Sequence, residues 1–364
     1  MKKLFFSLSL SACCAAASST ASAAPMDAFL SANQSNTPGE GQVEASYDLL
    51  NSTVDVFKAR DKDTNFAGTN VGDYHGAHVR AGVAITPRLW VDGALWERRI
   101  SYRNDVAKIN TWQVAAQYKL VEGSGYLPSM ALRLGAWGNY ADALTKTSST
   151  SVAGVTLNSV TVADPKDVQY QLDLINTWLI LAHTELSMFV SAGGSRVSVG
   201  KISGTATENG CHYNVDFGST AVVGALSQQC NANTVIDRFS APNSAYGINV
   251  QKETQYNAVY FQAGLTGKWS MDDWQVRAGY QYQALNRNHI DDIIQSRGGI
   301  ATKSNQILMG EIMYKIVKNA AIFVRGEYMS HQFTGEIPFA YNTLTAQRFN
   351  QRYGILSTGL VVNF

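Results

Sequence analysis

Residues 274–283 read WQVRAGYQYQ, and their side chains alternate between two chemical classes. One face is apolar or aromatic and the other polar or small: Trp274, Val276, Ala278, Tyr280 and Tyr282 against Gln275, Arg277, Gly279, Gln281 and Gln283. A period of two is typical of a β-strand, because successive side chains point to opposite faces of a sheet. The segment is therefore predicted to be a strand with one apolar and one polar face.

The same alternation returns along the chain from about residue 41 to the last residue. We find twelve such runs, each about as long as or longer than the roughly 9 to 11 residues that a tilted strand needs to cross a bilayer. They cover residues 41–57, 75–86, 89–103, 111–120, 129–144, 168–182, 185–201, 257–269, 273–288, 304–317, 320–333 and 352–364. The fold class is therefore predicted to be all-β, with about twelve antiparallel strands.

The connections between these runs are mostly short and long in turn. Tight turns follow the second, sixth, eighth and tenth runs, and long polar stretches follow the first, fifth, seventh, ninth and eleventh. Residues 104–110, after the third run, fit this scheme least well. Because lipid cannot hydrogen-bond the edge of a sheet, spanning strands must close into a barrel. Transmembrane barrels have short periplasmic turns and longer outer loops, which predicts periplasmic termini and a long extracellular loop at about 202–256.

The last run ends the chain on an aromatic residue. Apolar and polar or small residues alternate there, with Leu356, Leu360, Val362 and Phe364 on the outward face. In this ending and in its whole architecture the chain resembles the bacterial outer-membrane porin and β-barrel superfamily. The resemblance implies a location in outer-membrane lipid and an assembly signal at Phe364 that the barrel-assembly machinery reads. It identifies no particular porin family.

The N-terminus has the features of a secretory signal peptide. Lys2 and Lys3 precede the apolar run Leu4–Leu10, and small residues follow up to Ala21-Ser22-Ala23. We predict a signal peptide over residues 1–23, a periplasmic N-terminal segment over 24–40 and the barrel over 41–364. Residues 10–13 also resemble a lipoprotein cleavage box, which would leave a very short apolar core.

Composition excludes two other classes of protein. No segment after residue 23 approaches the roughly 18 uncharged apolar residues of a transmembrane helix, which argues against a helical inner-membrane protein. The formal net charge is +1, and no basic patch indicates nucleic acid as a partner.

The inward faces of the predicted strands collect nearly balanced charges. The cations are Arg80, Arg98, Arg133, Lys268, Arg277, Lys315 and Arg325, and the anions are Glu44, Asp48, Asp92, Asp173, Glu311 and Glu327. Two interpretations follow. Cations and anions on opposing walls would select small polar or anionic solutes, whereas pairing across a narrow lumen would simply fill it. The predicted channel-lining residues are Arg80, Asp92, Arg98, Arg133, Arg277, Glu311, Arg325 and Glu327.

Two further groups of residues stand out. Trp90, Trp96 and Trp137 share inward faces and would form an aromatic track for a flat solute, or pack beneath an inward loop. Cys211 and Cys230 are the two cysteines that follow the signal peptide, and in an oxidising envelope they would form a disulfide worth on the order of 3 kcal/mol. A metal site with His212 is the alternative, although it offers few well-spaced ligands.

The sequence carries no recognisable catalytic motif. Ser330 and His331 are adjacent, so their side chains point to opposite faces of a strand, and a nucleophile and its base must be within hydrogen-bond reach. We therefore predict a non-enzymatic, porin-like passive channel for small polar or anionic solutes, without cofactor or metal. The alternatives are a closed barrel whose outer loops bind a ligand or partner, and an envelope lipid hydrolase that uses His78 or His331.

Overall fold

The computed structural model describes residues 29–34, 37–50, 71–102, 105–147, 150–152, 155–228, 230, 236–243, 255–289, 291–292, 295, 303–330 and 353–364. Its strands are β1 (Gly41–Leu50), β2 (Val71–Thr86), β3 (Leu89–Tyr102), β4 (Asp105–Val121), β5 (Ser129–Tyr140), β6 (Ala143–Lys146), β7 (Thr150–Val152), β8 (Val155–Ala163), β9 (Lys166–Leu181), β10 (Thr184–Ser198), β11 (Lys201–Glu208), β12 (Cys211–Phe217), β13 (Ala221–Gln228), β14 (Arg238–Pro242), β15 (Tyr256–Met271), β16 (Trp274–Arg287), β17 (Ser304–Val317), β18 (Ala320–Met329) and β19 (Tyr353–Asn363). No helix within these ranges has the length and hydropathy to cross a bilayer.

Twelve of the strands close into one antiparallel barrel. Their order around the wall is β1-β19-β18-β17-β16-β15-β10-β9-β5-β4-β3-β2, so β1 pairs with both β2 and β19. At the seam the backbones of Gly41 and Phe364 exchange both of their hydrogen bonds at 2.9 Å. The predicted fold, a transmembrane barrel of about twelve antiparallel strands, is confirmed, and each predicted run overlaps one barrel strand. The runs at 129–144 and 185–201 extend past their barrel strands into β6 and β11, and residues 51–57, 103, 331–333 and 352 lie outside the described residues.

The outer surface of the barrel is apolar. Large side chains that point away from the lumen are exposed along the middle of the strands, among them Val79, Leu95, Leu134, Leu172, Phe261 and Ile312. Near the periplasmic turns, the rings of Trp274 and Tyr314 lie 4.7 Å apart, in the interfacial position that aromatic residues favour. This band is the surface that the lipid covers.

The hairpin of β3 and β4 extends beyond the apolar band. On its outward side Glu97 forms ion pairs with Lys108 at 2.8 Å and with Arg99 at 3.7 Å. All three side chains are exposed. The strand predicted at 111–120 in fact begins at Asp105, which explains the poor fit of residues 104–110 to a loop.

A second sheet continues the barrel wall outward. Its order is β14-β13-β12-β11-β8-β6, with β7 paired to β8. Within it, β6, β8 and β11 are neighbours in the same order as β5, β9 and β10, from which they continue after breaks of two residues. We call this unit the outer sheet. Its core contains Leu157, Cys211, Tyr213 and Val222.

The prediction of a loop at 202–256 is wrong where the described residues form β11, β12, β13 and β14, which are four strands of the outer sheet. Asn209 and Gly210 carry the hairpin between β11 and β12 with φ of 49° and 79°. Asn-Gly between alternating residues is a strong hairpin signal, because both positions of this turn require positive φ. That signal could have identified the strands from sequence.

Cys211 and Cys230 form a disulfide in the outer sheet. It joins the first residue of β12 to a residue just after β13, so it fastens two neighbouring strands at one end. With both sulfurs bonded to each other, the alternative of a metal site on this pair is wrong.

The apolar band predicts which outward residues lie deep in the membrane and which lie near its surface. Leu134 lies near the middle of β5 with 61% of its surface exposed, and Leu134→Arg is expected to lower the free energy of unfolding by about 2 to 4 kcal/mol. The matched control is Ile180→Arg, beside a periplasmic turn, where the cost falls to about 0 to 1 kcal/mol. Urea unfolding in lipid vesicles measures both, and equal costs would contradict the assigned depth.

Candidate functional site in the barrel lumen

The eight residues predicted to line a channel all lie on the inward face of the barrel. Each is buried, with an exposed fraction of at most 8%, and they are Arg80, Asp92, Arg98, Arg133, Arg277, Glu311, Arg325 and Glu327. A buried ion loses several kcal/mol of hydration and must recover it from partners. The partners therefore decide how the lumen is filled.

The first charge cluster is centred on Asp92 of β3. Arg80 Nη2 donates to Asp92 Oδ1 at 2.8 Å. Arg133 donates from Nη1 and Nη2 to the two oxygens at 2.7 and 2.9 Å, a bidentate pair. Asp173 of β9 lies directly opposite Arg133 in the strand register. The carboxylate of Asp92 on β3 thus links β2 with β5, which lies two strands away on the other side of β3.

The second charge cluster is centred on Glu311 of β17. Arg277 of β16 donates from Nε to Glu311 Oε1 at 2.7 Å, and Arg325 of β18 donates from Nε to Oε2 at 2.8 Å. Arg325 Nη1 also reaches Glu44 Oε1 of β1 at 3.3 Å. Here too each carboxylate has guanidinium groups beside it, so the cluster links four strands around the wall.

His78 extends the second cluster toward the outer end. Its Nε2 lies 3.0 Å from Glu44 Oε1, and its Nδ1 lies 3.0 Å from Asp48 Oδ2. Ser46 Oγ lies 2.8 Å from the same Nδ1 and donates to Asp48 Oδ1 at 3.0 Å. In a hydrolase triad the acid and the serine use different ring nitrogens. His78 has a carboxylate on each, an arrangement suited to bridging β1 and β2.

Cations and anions therefore alternate around the wall instead of standing on opposing walls. Of the two interpretations open from the sequence, the contacts match the one in which the charges pair. Strand periodicity alone could not decide between them, because it gives the face of a side chain and leaves its partner unknown.

Residues 29–34 lie inside the barrel; we call them the luminal segment. The side chain of Gln117 donates to Ser31 O at 2.9 Å, and that of Thr266 donates to Leu30 O at 3.2 Å. The backbone N–H of Ala32 donates to Thr177 Oγ1 at 2.9 Å. The prediction of a periplasmic segment over residues 24–40 is therefore wrong for residues 29–34.

The luminal segment also makes apolar contacts with the barrel wall. Leu30 and Ala32 pack with Ala131, Ile175 and Phe189 in one buried cluster. The Arg277 guanidinium lies 4.7 Å from the centre of the Phe29 ring, so the second charge cluster also touches the segment. The sequence signal for this insertion is the apolar pair Phe29-Leu30, which would be poorly covered in the periplasm.

The three tryptophans of the predicted aromatic track are inward and buried. Trp90 lies against Gly82, where a Cβ would come within 2.4 Å of the indole. Trp96 lies 5.1 Å from the His78 ring and 5.7 Å from the Arg98 guanidinium. Trp137 Nε1 has no hydrogen-bond partner among the described residues. The rings of Trp90 and Trp96 thus pack against neighbouring residues, whereas the indole N–H of Trp137 can still donate a hydrogen bond.

Two other residues that the sequence analysis singled out are Phe364 and His331. Phe364 is 62% exposed on the outward face of the periplasmic rim, and its role as an assembly signal stays a prediction. His331 lies outside the described residues.

No family model and no curated protein matches this chain. Solved barrels resemble it over most of their length. The translocator domain of autotransporter NalP from Neisseria meningitidis has 9% identity and a TM-score of 0.46, covering 89% of this chain and 88% of its own. The CymD monoaromatic hydrocarbon channel has 10% identity and a TM-score of 0.40, covering 92% and 91%. The KdgM porin has 7% identity and a TM-score of 0.35, covering 89% and 99%. Such values assign no family and no function.

The first charge cluster predicts a large cost for removing its one shared carboxylate. Asp92→Ala leaves the guanidiniums of Arg80 and Arg133 buried beside an apolar group, and is expected to destabilise the barrel by about 3 to 5 kcal/mol. The control is Glu97→Ala, which removes an exposed carboxylate from the same strand and should have little effect. Unfolding of both variants in lipid vesicles measures the difference, and a small cost for Asp92→Ala would refute the pairing.

Proposed function

We propose that this protein is a gated channel of the bacterial outer membrane, which passes small polar solutes when the luminal segment leaves the barrel. The observation that carries the proposal is the way the luminal segment is held. Leu30, Ser31 and Ala32 bond through their backbone to the side chains of Thr266, Gln117 and Thr177. Within the described residues, no barrel strand forms a β-ladder with residues 29–34. The segment can therefore leave without breaking any strand pair of the wall.

The point of attachment supports this role. Gly39 N donates to Ala84 O and Ala84 N donates to Glu40 O, both at 2.9 Å, so the chain is fixed at the periplasmic rim just before β1. The luminal segment then returns from the rim into the lumen. Because the chain is fixed at Gly39 and Glu40, only a few residues from the luminal segment, the segment can move toward the periplasm and back without moving far from the barrel wall that it contacts.

The wall that the segment uncovers is suited to polar solutes. Beside the apolar Ala131, Ile175 and Phe189, the segment contacts the polar side chains of Gln117, Thr177 and Thr266. Such polar groups hydrate a passage, and the paired ions elsewhere in the lumen add no strong net field. In this proposal, transport is passive and uses no cofactor. His78 has a structural role, because it bridges the carboxylates of Glu44 and Asp48.

Deletion of residues 24–34 tests the gate. The variant is expected to give larger and longer-lived conductance steps than the intact protein in planar bilayers, because the segment no longer fills the lumen. Folding of each preparation is checked by circular dichroism and by heat-dependent gel mobility. A folded deletion variant that stays silent would refute the proposal.

A cross-link tests the same gate in the opposite direction. Ala32→Cys with Thr177→Cys places two thiols where a backbone N–H now meets a side-chain oxygen. The oxidised variant is expected to be silent and to conduct after addition of a reductant. Ala32→Cys alone is the control and should behave as the unmodified protein does. Equal conductance before and after reduction would place the gate elsewhere.

The outer sheet favours a second candidate function, the binding of a ligand or partner at the cell surface. Its core and its disulfide make a firmer surface than irregular loops would. Deletion of residues 205–250 is then expected to abolish binding to immobilised glycans or proteins of the extracellular matrix while sparing the conductance of the deletion variant lacking 24–34. Loss of both activities would show that the sheet serves the barrel instead.

A further inference from the structure

We infer that the outer half of the lumen contains a binding site for an uncharged, hydroxyl-rich solute such as a sugar. The inference rests on the proposed function, since it names the class of solute that the channel takes. The site is a belt of neutral polar side chains, which we call the glutamine belt: Gln113, Trp137, Gln171, Ser191, Gln262, Gln281 and Gln283.

The belt is continuous around half of the barrel. Its residues lie on β4, β5, β9, β10, β15 and β16, which are six adjacent strands of the wall. Gln113 lies directly opposite Trp137 in the register, and Gln262 lies opposite both Ser191 and Gln283. Since all of them point inward, their polar ends are directed into one region of the lumen.

Every member of the belt is buried and keeps an unused polar atom. The exposed fractions are at most 7%. Among the described residues, no hydrogen-bond partner is found for Nε1 of Trp137, Nε2 of Gln262, both amide atoms of Gln281, Oγ of Ser191, or Oε1 of Gln113, Gln171 and Gln283. Buried polar groups without partners are rare and costly. A row of them on adjacent strands indicates a site whose partner comes from solution.

The chemistry of the unused atoms selects the ligand. Amide oxygens accept and amide or indole N–H groups donate, so the belt offers both without any charge. A sugar hydroxyl also donates and accepts, which matches this mixture. A carboxylate or phosphate would face the amide oxygens, and an ammonium group would face the N–H donors.

The arginines of the lumen do not change this preference. Arg80 and Arg133 bind Asp92, Arg277 and Arg325 bind Glu311, and Arg287 at the outer end of β16 pairs with Asp291. An anionic solute would have to displace these carboxylates to reach the guanidinium groups. The indole of Trp137, in contrast, can stack on the apolar face of a sugar ring.

The belt lies on the outer side of the luminal segment. On β4, Gln117 holds the segment and Gln113 lies farther from the periplasmic end. On β16, Arg277 covers Phe29 and Gln281 lies farther toward the outer end. A solute that enters from the outside therefore meets the belt before the segment, and can bind while the gate is closed.

Three sugars of the same ring size test the site: glucose, glucuronate and glucosamine, which are neutral, anionic and cationic. We expect isothermal titration of the intact, folded protein in detergent micelles to show saturable binding of glucose. Binding of glucuronate and glucosamine should be at least about tenfold weaker. The double variant Gln262→Leu, Gln281→Leu should weaken glucose binding by about tenfold or more, which is about 1.4 kcal/mol.

Two further variants separate binding from general effects on the barrel. Gln275→Leu makes the same change on β16 near the periplasmic turn, outside the belt, and should leave glucose affinity unchanged. Gln281→Glu adds a negative charge to the belt and should shift the preference from glucose toward glucosamine.

The outcomes distinguish this inference from the proposed gate. The absence of saturable glucose binding by folded protein, or equal or tighter binding of glucuronate, would overturn the inference, whatever the deletion of residues 24–34 does to conductance. Glucose binding that Gln275→Leu weakens as much as the double variant would also overturn it. Saturable glucose binding by a barrel that never conducts would support the site and refute the channel.

Discussion

Lipid offers no hydrogen bonds to the edge of a sheet, so the first and last barrel strands must pair with each other. The rest of this structure depends on that closure. β1 pairs with β2 on one side and with β19 on the other, and the backbones of Gly41 and Phe364 close the seam at the periplasmic rim. Once the ring is closed, every strand has one face toward lipid and one toward the lumen. The alternation of side chains then separates an apolar surface from a polar interior.

The inward side chains of the wall form two sets, which differ in whether their polar groups are paired with one another. In the first set, carboxylates shared between guanidinium groups at Asp92 and Glu311 link strands that are not all neighbours in the chain. In the second set, neutral amides and an indole keep unused donors and acceptors. The first arrangement fixes the wall, and the second leaves it able to bind. The luminal segment lies on the periplasmic side of the glutamine belt and is held by the side chains of Gln117, Thr177 and Thr266.

The outer sheet shows that the barrel wall is also a scaffold. β5, β9 and β10 each continue, after a short break, into a strand of the outer sheet, so the barrel sets the order of β6, β8 and β11. The Asp164 backbone has a φ of 48° at one of these breaks, and beyond the breaks the outer sheet has a core of its own.

The sequence by itself determined the number of barrel strands, the face of nearly every inward side chain and the closure of the sheet, because each follows from a local period of two and from the demands of lipid. It did not determine that Arg80 and Arg133 share Asp92, that Phe29 lies under Arg277, or that β11 to β14 form strands of an outer sheet. Only the tertiary structure decided these, because closure and strand tilt bring together residues that are distant in the chain. Residues 29–34 have no periodicity to indicate their place, and their position depends on the shape of the lumen that the other strands create.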